Sequence, residues 1–194
     1  MAGVGEAAVE GSDPTGEALL DAAGLCALLD EHRIPYRRFD HPAVFTCDEA
    51  TREVPAEADG VQTKNLFLRD GKGRRHWLVI TSCERTVDLR ALAPVIGADR
   101  LTLGSPERLA RHLGLTPGAV TVFGLVHDPS HAVEVVVDRT VWAAPHWRCH
   151  PLINTATLVV ERTGIERFLE LTGHQPRVVE VPTRSLHPGA DPLD

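Results

Sequence analysis

The segment that most constrains the fold is Ala156-Thr157-Leu158-Val159-Val160, a β-branched run that reads as a buried strand. It is approached through His150-Pro151-Leu152-Ile153-Asn154-Thr155. A residue before proline is held out of the helical region, so His150 is expected to be extended. A histidine, an amide and two hydroxyls thus stand at the approach to a rigid element, a favourable place for a site. A His-Pro turn whose Asn and Thr side chains bond their own backbone accounts for the same residues equally well.

The remaining pattern predicts one α/β domain. Leu19, Leu20, Ala23, Leu25, Leu28 and Leu29 recur at helical spacing over Glu17–His32, and Pro35 ends that run. Tyr36–Phe39 alternates as an edge strand. Asn65–Arg69 and His76–Thr81 flank Asp70-Gly71-Lys72-Gly73 as a β-hairpin. Asp88–Ile96 reads as a helix closed by Gly97, and Arg100–Leu103 as a short strand. Ser105 and Pro106 open a second short helix, which ends at Gly114. After a Gly/Pro loop, Gly124–Val126 resumes an extended run. Ala132–Asp138 is a central strand, Thr163–Thr172 a helix ended by Gly173, and Arg177–Val181 a last strand. The expected fold class is α/β, a mixed, mostly antiparallel sheet surrounded by helices over residues 17–181. Residues 1–16 and 182–194 read as tails.

Charge and composition exclude several classes. Twenty Lys and Arg against 27 Asp and Glu give a net charge of −7, which disfavours a general nucleic-acid coat protein. A local basic patch stays open, because Arg69, Lys72, Arg74 and Arg75 cluster around one turn and Arg85, Arg90, Arg100, Arg108 and Arg111 follow. No run of eighteen apolar residues is present, and the first residues lack the charged and apolar regions of a secretory signal. A cytoplasmic protein is expected. Cys26, Cys47, Cys83 and Cys149 form no CxxC pair, so buried free thiols are expected rather than a disulfide framework.

Most motif chemistry is missing. His146, Cys149 and His150 lack the second ligand pair that a structural zinc needs, so no metal is expected. No nucleophile elbow and no phosphate-cradling glycine loop occurs. Lys64 stands out because Thr63-Lys64-Asn65-Leu66-Phe67-Leu68 puts a cation at the mouth of an apolar strand. It is either a lysine whose stem covers apolar surface or a cation that holds a phosphate or carbonyl oxygen.

That hexapeptide, the Gly118-Ala119-Val120-Thr121-Val122-Phe123-Gly124-Leu125 loop and His150-Pro151-Leu152-Ile153-Asn154-Thr155-Ala156-Thr157 together resemble the YbaK/ProX aminoacyl-tRNA editing domains. These are the free-standing relatives of the editing insertion in bacterial prolyl-tRNA synthetases. The likeness runs in order from Leu19 to Val181 and includes Pro42-Ala43-Val44-Phe45-Thr46. It is nearest to the subgroup that removes alanine from mischarged tRNA(Pro).

The resemblance implies hydrolysis of the ester between an aminoacyl group and the 3′-terminal adenosine, without a cofactor. Lys64 would be the functional cation near the terminal nucleotide, and His150 would lie by the aminoacyl group and shape specificity. Thr46, Asn65, Gly118, Thr121, Val122, Gly124, Asp128, Asn154 and Thr155 would bind substrate. The implied partners are the acceptor end of tRNA(Pro) and, as a candidate, prolyl-tRNA synthetase, with no membrane and no DNA. Deacylation of Cys-tRNA(Pro) or another small aminoacyl-tRNA, and a non-catalytic tRNA- or synthetase-binding module, are the alternatives.

Two departures stand out. Val122 occupies the place of the family's loop proline, and His127-Asp128 stands where the pair is usually Asn-Asp. Valine at that place would leave the loop looser or add an N–H donor.

Overall fold

In the computed structural model, residues 19–55 and 58–184 are described. The expected tail 1–16, the start of the first expected helix at Glu17, and residues 185–194 lie outside them. The helices are α1 (Ala22–Glu31), α2 (Cys47–Glu53), α3 (Leu89–Val95), α4 (Pro106–Leu113), α5 (Arg139–Ala143) and α6 (Arg162–Leu171). The strands are β1 (Tyr36–Asp40), β2 (Val61–Asp70), β3 (His76–Ser82), β4 (Leu101–Leu103), β5 (Val133–Asp138), β6 (His146–Cys149), β7 (Ala156–Glu161) and β8 (Arg177–Val179).

The strands form one mixed sheet in the order β1-β7-β6-β2-β3-β5-β8, with β4 paired to β2. Pairing is antiparallel in β1–β7, β6–β7, β2–β3 and β2–β4, and parallel in β2–β6, β3–β5 and β5–β8. Both faces are covered. Leu78, Ile80, Val135 and Val137 face a core shared with Leu25 and Leu29 of α1, Leu109 and Leu113 of α4, and Ile165 and Phe168 of α6. Trp77, Val79 and Val136 point the other way, onto Leu92, Ala93 and Ile96 around α3. Coverage on both faces is why β3 and β7 read as continuous apolar runs rather than alternating ones.

The mixed α/β class and the major elements match the expectation, with local differences. α1 begins at Ala22 because the Asp21 carboxylate accepts the Gly24 N–H at 2.7 Å, leaving Leu19 and Leu20 ahead of the helix. Gly124–Val126 is not extended but part of a 3₁₀ helix, Val122–His127. Thr121 caps it, and Val122, Phe123, Gly124 and Leu125 are all buried, so the run shows no helical period. The short α5 and β6 carry too few residues for a period to show; α5 is started by Asp138, whose carboxylate accepts the Thr140 N–H at 2.9 Å. At the other end, Pro182–Arg184 run beside Thr86–Asp88: Asp88 N–H donates to the Pro182 carbonyl at 2.9 Å and Arg184 N–H to the Thr86 carbonyl at 2.8 Å.

At the turn end of the hairpin a buried histidine couples the fold to pH. His76 is 4% exposed, stacks on Phe67 at a ring separation of 5.6 Å and packs against the tilted His112 ring at 4.1 Å. An Arg108 N–H donates to His76 Nε2 at 3.1 Å. Burial, then the neighbouring His112 and Arg108, push the His76 pKa down from 6.5 to about 4. The unfolded chain therefore takes up a proton that the folded one refuses. The contribution is fully present above pH 6.5 and is lost as pH falls toward 4, up to about 3 kcal/mol. Urea unfolding at pH 7 and pH 4.5 should show the loss, and His76→Leu should flatten that part of the pH dependence.

Candidate functional site

β2 has a gap in its pairing, and the gap makes the site. On one side β3 accompanies it from Thr63 to Arg69. On the other, β6 pairs only with Val61 and Gln62, and β4 only with Leu68–Asp70. Lys64, Asn65 and Leu66 therefore have no strand neighbour on that side. β6 stops at Cys149, the chain turns through His150-Pro151, and a cleft of about 410 Å³ opens beside β2. Its other walls are Val44–Cys47 with Ala50 of α2, Cys83, Gly118, Val120 and His150.

Among the described residues the Lys64 side chain makes no hydrogen bond or ion pair, so its ammonium is free for a ligand. Asn65 Oδ1 and Gln62 Oε1 are inaccessible to solvent and have no hydrogen-bond partner among the described residues. His150 is held from behind: Nδ1–H donates to the Ala156 carbonyl at 2.9 Å. That bond leaves Nε2 as an acceptor in the neutral ring. Burial lowers the His150 pKa and the nearby His41 lowers it further, while the Ala156 carbonyl opposes them, so the ring stays neutral at pH 7. His41 is itself fixed by the Pro42 carbonyl at 2.8 Å and by Thr157 Oγ1 at 2.9 Å.

Thr46 lines the cleft and also starts α2. Its Oγ1 accepts the Glu49 N–H at 3.2 Å, and Glu49 Oε2 accepts the N–H groups of Thr46 and Phe45 at 3.1 and 2.7 Å. Gly118 lies opposite with φ +92°, and a Cβ there would come within 3.2 Å of the Phe45 ring. Glycine lets this loop approach so closely.

Of the residues singled out by the sequence, Lys64, Asn65, Thr46, Gly118 and His150 meet at this cleft. Asn154 stands just behind it, donating from Nδ2 to the Val44 carbonyl at 3.0 Å and accepting the Val44 N–H at 3.0 Å. Thr155 is exposed, and its carbonyl accepts the His41 N–H at 2.9 Å. Thr121, Val122 and Gly124 are buried in or beside the core and are not on the cleft wall. Val122 is the first residue of the 3₁₀ helix, a position whose N–H has no partner within the helix. Proline and valine therefore cost the helix the same there, and Thr121 Oγ1 holds the turn by accepting the Phe123 N–H at 3.4 Å.

Asp128 lies away from the cleft, 3% exposed. Its carboxylate accepts the N–H groups of Ala132 and Val133 at 2.9 and 2.8 Å and the Ser130 hydroxyl at 3.0 Å, with His174 Nε2 at 3.4 Å. Burial alone would raise its pKa, but the His174 ring and the backbone donors outweigh that and hold the carboxyl low.

The wall also contains residues that sequence reasoning did not select: Phe45, Ala50, Gln62 and the cysteines Cys47 and Cys83. The expectation of free thiols is corrected here. Cys26 and Cys149 are free and buried, but Cys47 and Cys83 form a disulfide across a Cα separation of 5.6 Å. They are 36 residues apart, and only the seating of α2 against the end of β3 brings them into bonding range.

Comparison with known proteins shows the family. The aminoacyl-tRNA editing domain matches residues 41–168. A prolyl-tRNA editing protein, ProX, from Acetoanaerobium sticklandii is 36% identical over 155 residues, covering 80% of this chain and 94% of the relative. The chain belongs to the aminoacyl-tRNA editing domain family. By that membership it is an aminoacyl-tRNA hydrolase. This editing domain is also 34% identical over 113 residues to a multifunctional Ser/Thr-tRNA deacylase, ProXp-y, of Escherichia coli K12, covering 54% of this chain and 67% of that one. A solved structure provisionally assigned as a trans-editing enzyme for prolyl tRNA synthetase shares the fold, with a TM-score of 0.60 at 22% identity over 84% of this chain and 98% of that one. Among the described residues, no helix of the editing domain is long and apolar enough to cross a membrane.

Proposed function

We propose that this protein acts in trans to hydrolyse mischarged tRNA(Pro), with alanine as the acyl group removed. The observation that carries the reading is one cleft lined by an ammonium with no side-chain partner among the described residues and by a neutral imidazole acceptor. In this reading Lys64 stabilises the negative charge that develops on the ester oxygen and anchors the terminal nucleotide. His150 Nε2 accepts a hydrogen bond from the substrate or the attacking water and forms one wall of the acyl pocket.

No protein nucleophile is required. An aminoacyl ester is already activated, and positioning a water and stabilising the oxyanion supply the main catalytic effects. Selection against proline is steric in this reading, with His150 and the start of α2 as the walls that would exclude the ring. Steric exclusion is the effective route here, since one methylene of binding discriminates by only about 1–3 kcal/mol.

The far end of the β2–β3 hairpin supports a tRNA substrate. Arg69 lies about 17 Å along β2 from Lys64, and Lys72, Arg74 and Arg100 are exposed around the same turn. A basic group at that distance suits the phosphates of an acceptor stem whose end occupies the cleft. Prolyl-tRNA synthetase is the natural source of the mischarged substrate, and we place both in the cytoplasm.

A second reading, removal of serine, is favoured by the polar side of the cleft, where Thr46, Gln62 and Asn65 could take a hydroxyl. The deciding experiment is a panel of Ala-, Cys-, Ser- and Pro-tRNA(Pro) with the purified protein. Alanine release well above the spontaneous rate, with Pro-tRNA(Pro) intact, is the expected result. A faster rate on serine would favour the second reading, and no release from any substrate would reduce the protein to a tRNA-binding module.

A further inference from the structure

The Cys47–Cys83 disulfide is placed to control the cleft. Cys47 is the first residue of α2, and Cys83 follows directly after β3. Both sulfur-bearing residues line the cleft with Thr46, Ala50, Lys64 and His150. Cys83 is fixed to the sheet, its N–H donating to the Gln62 carbonyl at 2.9 Å. α2 is not fixed in this way. Of its seven residues only Ala50 is buried. Its flanks are held by the Val44–Asn154 hydrogen bonds on one side and by Val54, packed with Ala58 and Val159, on the other. The start of the helix, which faces Lys64 across the cleft, is tied down by the disulfide.

The two cysteines are half-buried, so a soluble thiol can reach them, whereas Cys26 and Cys149 are buried. Cys149 sits beneath Thr63, its Sγ 3.6 Å from Thr63 Oγ1, and burial pushes its pKa up to about 12. It is therefore no competitor for exchange with the bridge.

We propose that the Cys47–Cys83 bridge is a specificity element of the acyl pocket, holding α2 as a fixed wall so that its redox state sets the size of the group admitted. The proposal rests on the deacylase reading above. A dithiol reductant breaks the Sγ–Sγ bond. Two electrons and two protons pass to the cysteines, which become thiols, and the reductant closes to its own disulfide. α2 then keeps the packing of Ala50 and the attachments of its flanks, and the start of the helix facing Lys64 can move outward.

The test uses the full chain, oxidised and after dithiothreitol, beside a Cys47→Ala/Cys83→Ala variant. Mass spectrometry first reports the bridge. Hydrogen exchange over residues 44–54 should speed up on the order of tenfold on reduction and in the variant, while β3 and β5 remain protected. The ratio of Ala-tRNA(Pro) to Pro-tRNA(Pro) hydrolysis should fall about tenfold in the same samples. No bridge in the oxidised protein, unchanged exchange over 44–54, or a ratio that holds within about twofold would each overturn the proposal. If no form hydrolyses either substrate, the deacylase reading fails instead. Relative affinity for 3′-alanylamido- and 3′-prolylamido-adenosine, compared between the two redox states, then decides the role of the bridge on its own.

Discussion

Lys64→Ala is expected to lower kcat/KM for Ala-tRNA(Pro) by about 10²–10³-fold, the effect of removing one preorganised group that stabilises a developing oxyanion. The fold should be indifferent to the change. Among the described residues the Lys64 side chain has no ion pair or hydrogen bond to lose, and its segment of β2 is held by the ladder to β3 rather than by the side chain. The melting temperature should therefore match that of the parent protein. Single-turnover deacylation separates the two roles given to the ammonium. Loss confined to the chemical step indicates charge stabilisation, whereas loss confined to substrate affinity indicates a nucleotide anchor alone. Full activity in Lys64→Ala would remove the central residue of the proposed mechanism.

Asp128→Ala should do the reverse. The carboxylate is buried and serves two backbone N–H groups, the Ser130 hydroxyl and the His174 ring. Truncation leaves buried donors without an acceptor, at about 3–4 kcal/mol, which for a chain of this size lowers the melting temperature by roughly 10 °C. Asp128→Asn, which keeps a carbonyl acceptor, should lose less. Below the transition, kcat of the folded fraction should stay within about threefold of the parent, because Asp128 is not on the cleft wall. If the melting temperature held and deacylation collapsed, Asp128 would be a substrate-binding residue, as the family resemblance implies.

These two residues show how far one chain can be read. The place of Lys64 at the cleft was legible because a cation at the mouth of an apolar strand is locally unusual, while its role came only from the family resemblance. His150 was legible through the proline that follows it, which ends β6 and turns the ring toward β2. Asp128 was not, because a carboxylate that organises a loop and one that meets a substrate have the same local sequence. Only its four donors, one of them 46 residues away, separate the two. Val122 likewise read as a weakened loop until its place at the first position of a 3₁₀ helix made proline and valine equivalent there.

The chain alone determined most of the strands, the longer helices, the hairpin and the family. These follow from periodicity, capping residues and motifs contained within a dozen neighbours, where local sterics and hydrogen bonding dominate. Tertiary structure decided the rest. The pairing gap in β2 depends on where β6 and β4 happen to end. The wall of the cleft depends on a helix with one buried residue coming to rest beside β3, and the Cys47–Cys83 bond forms only once that has happened. Contacts between segments far apart in the chain leave no period behind, so their geometry appears only when the sheet is assembled.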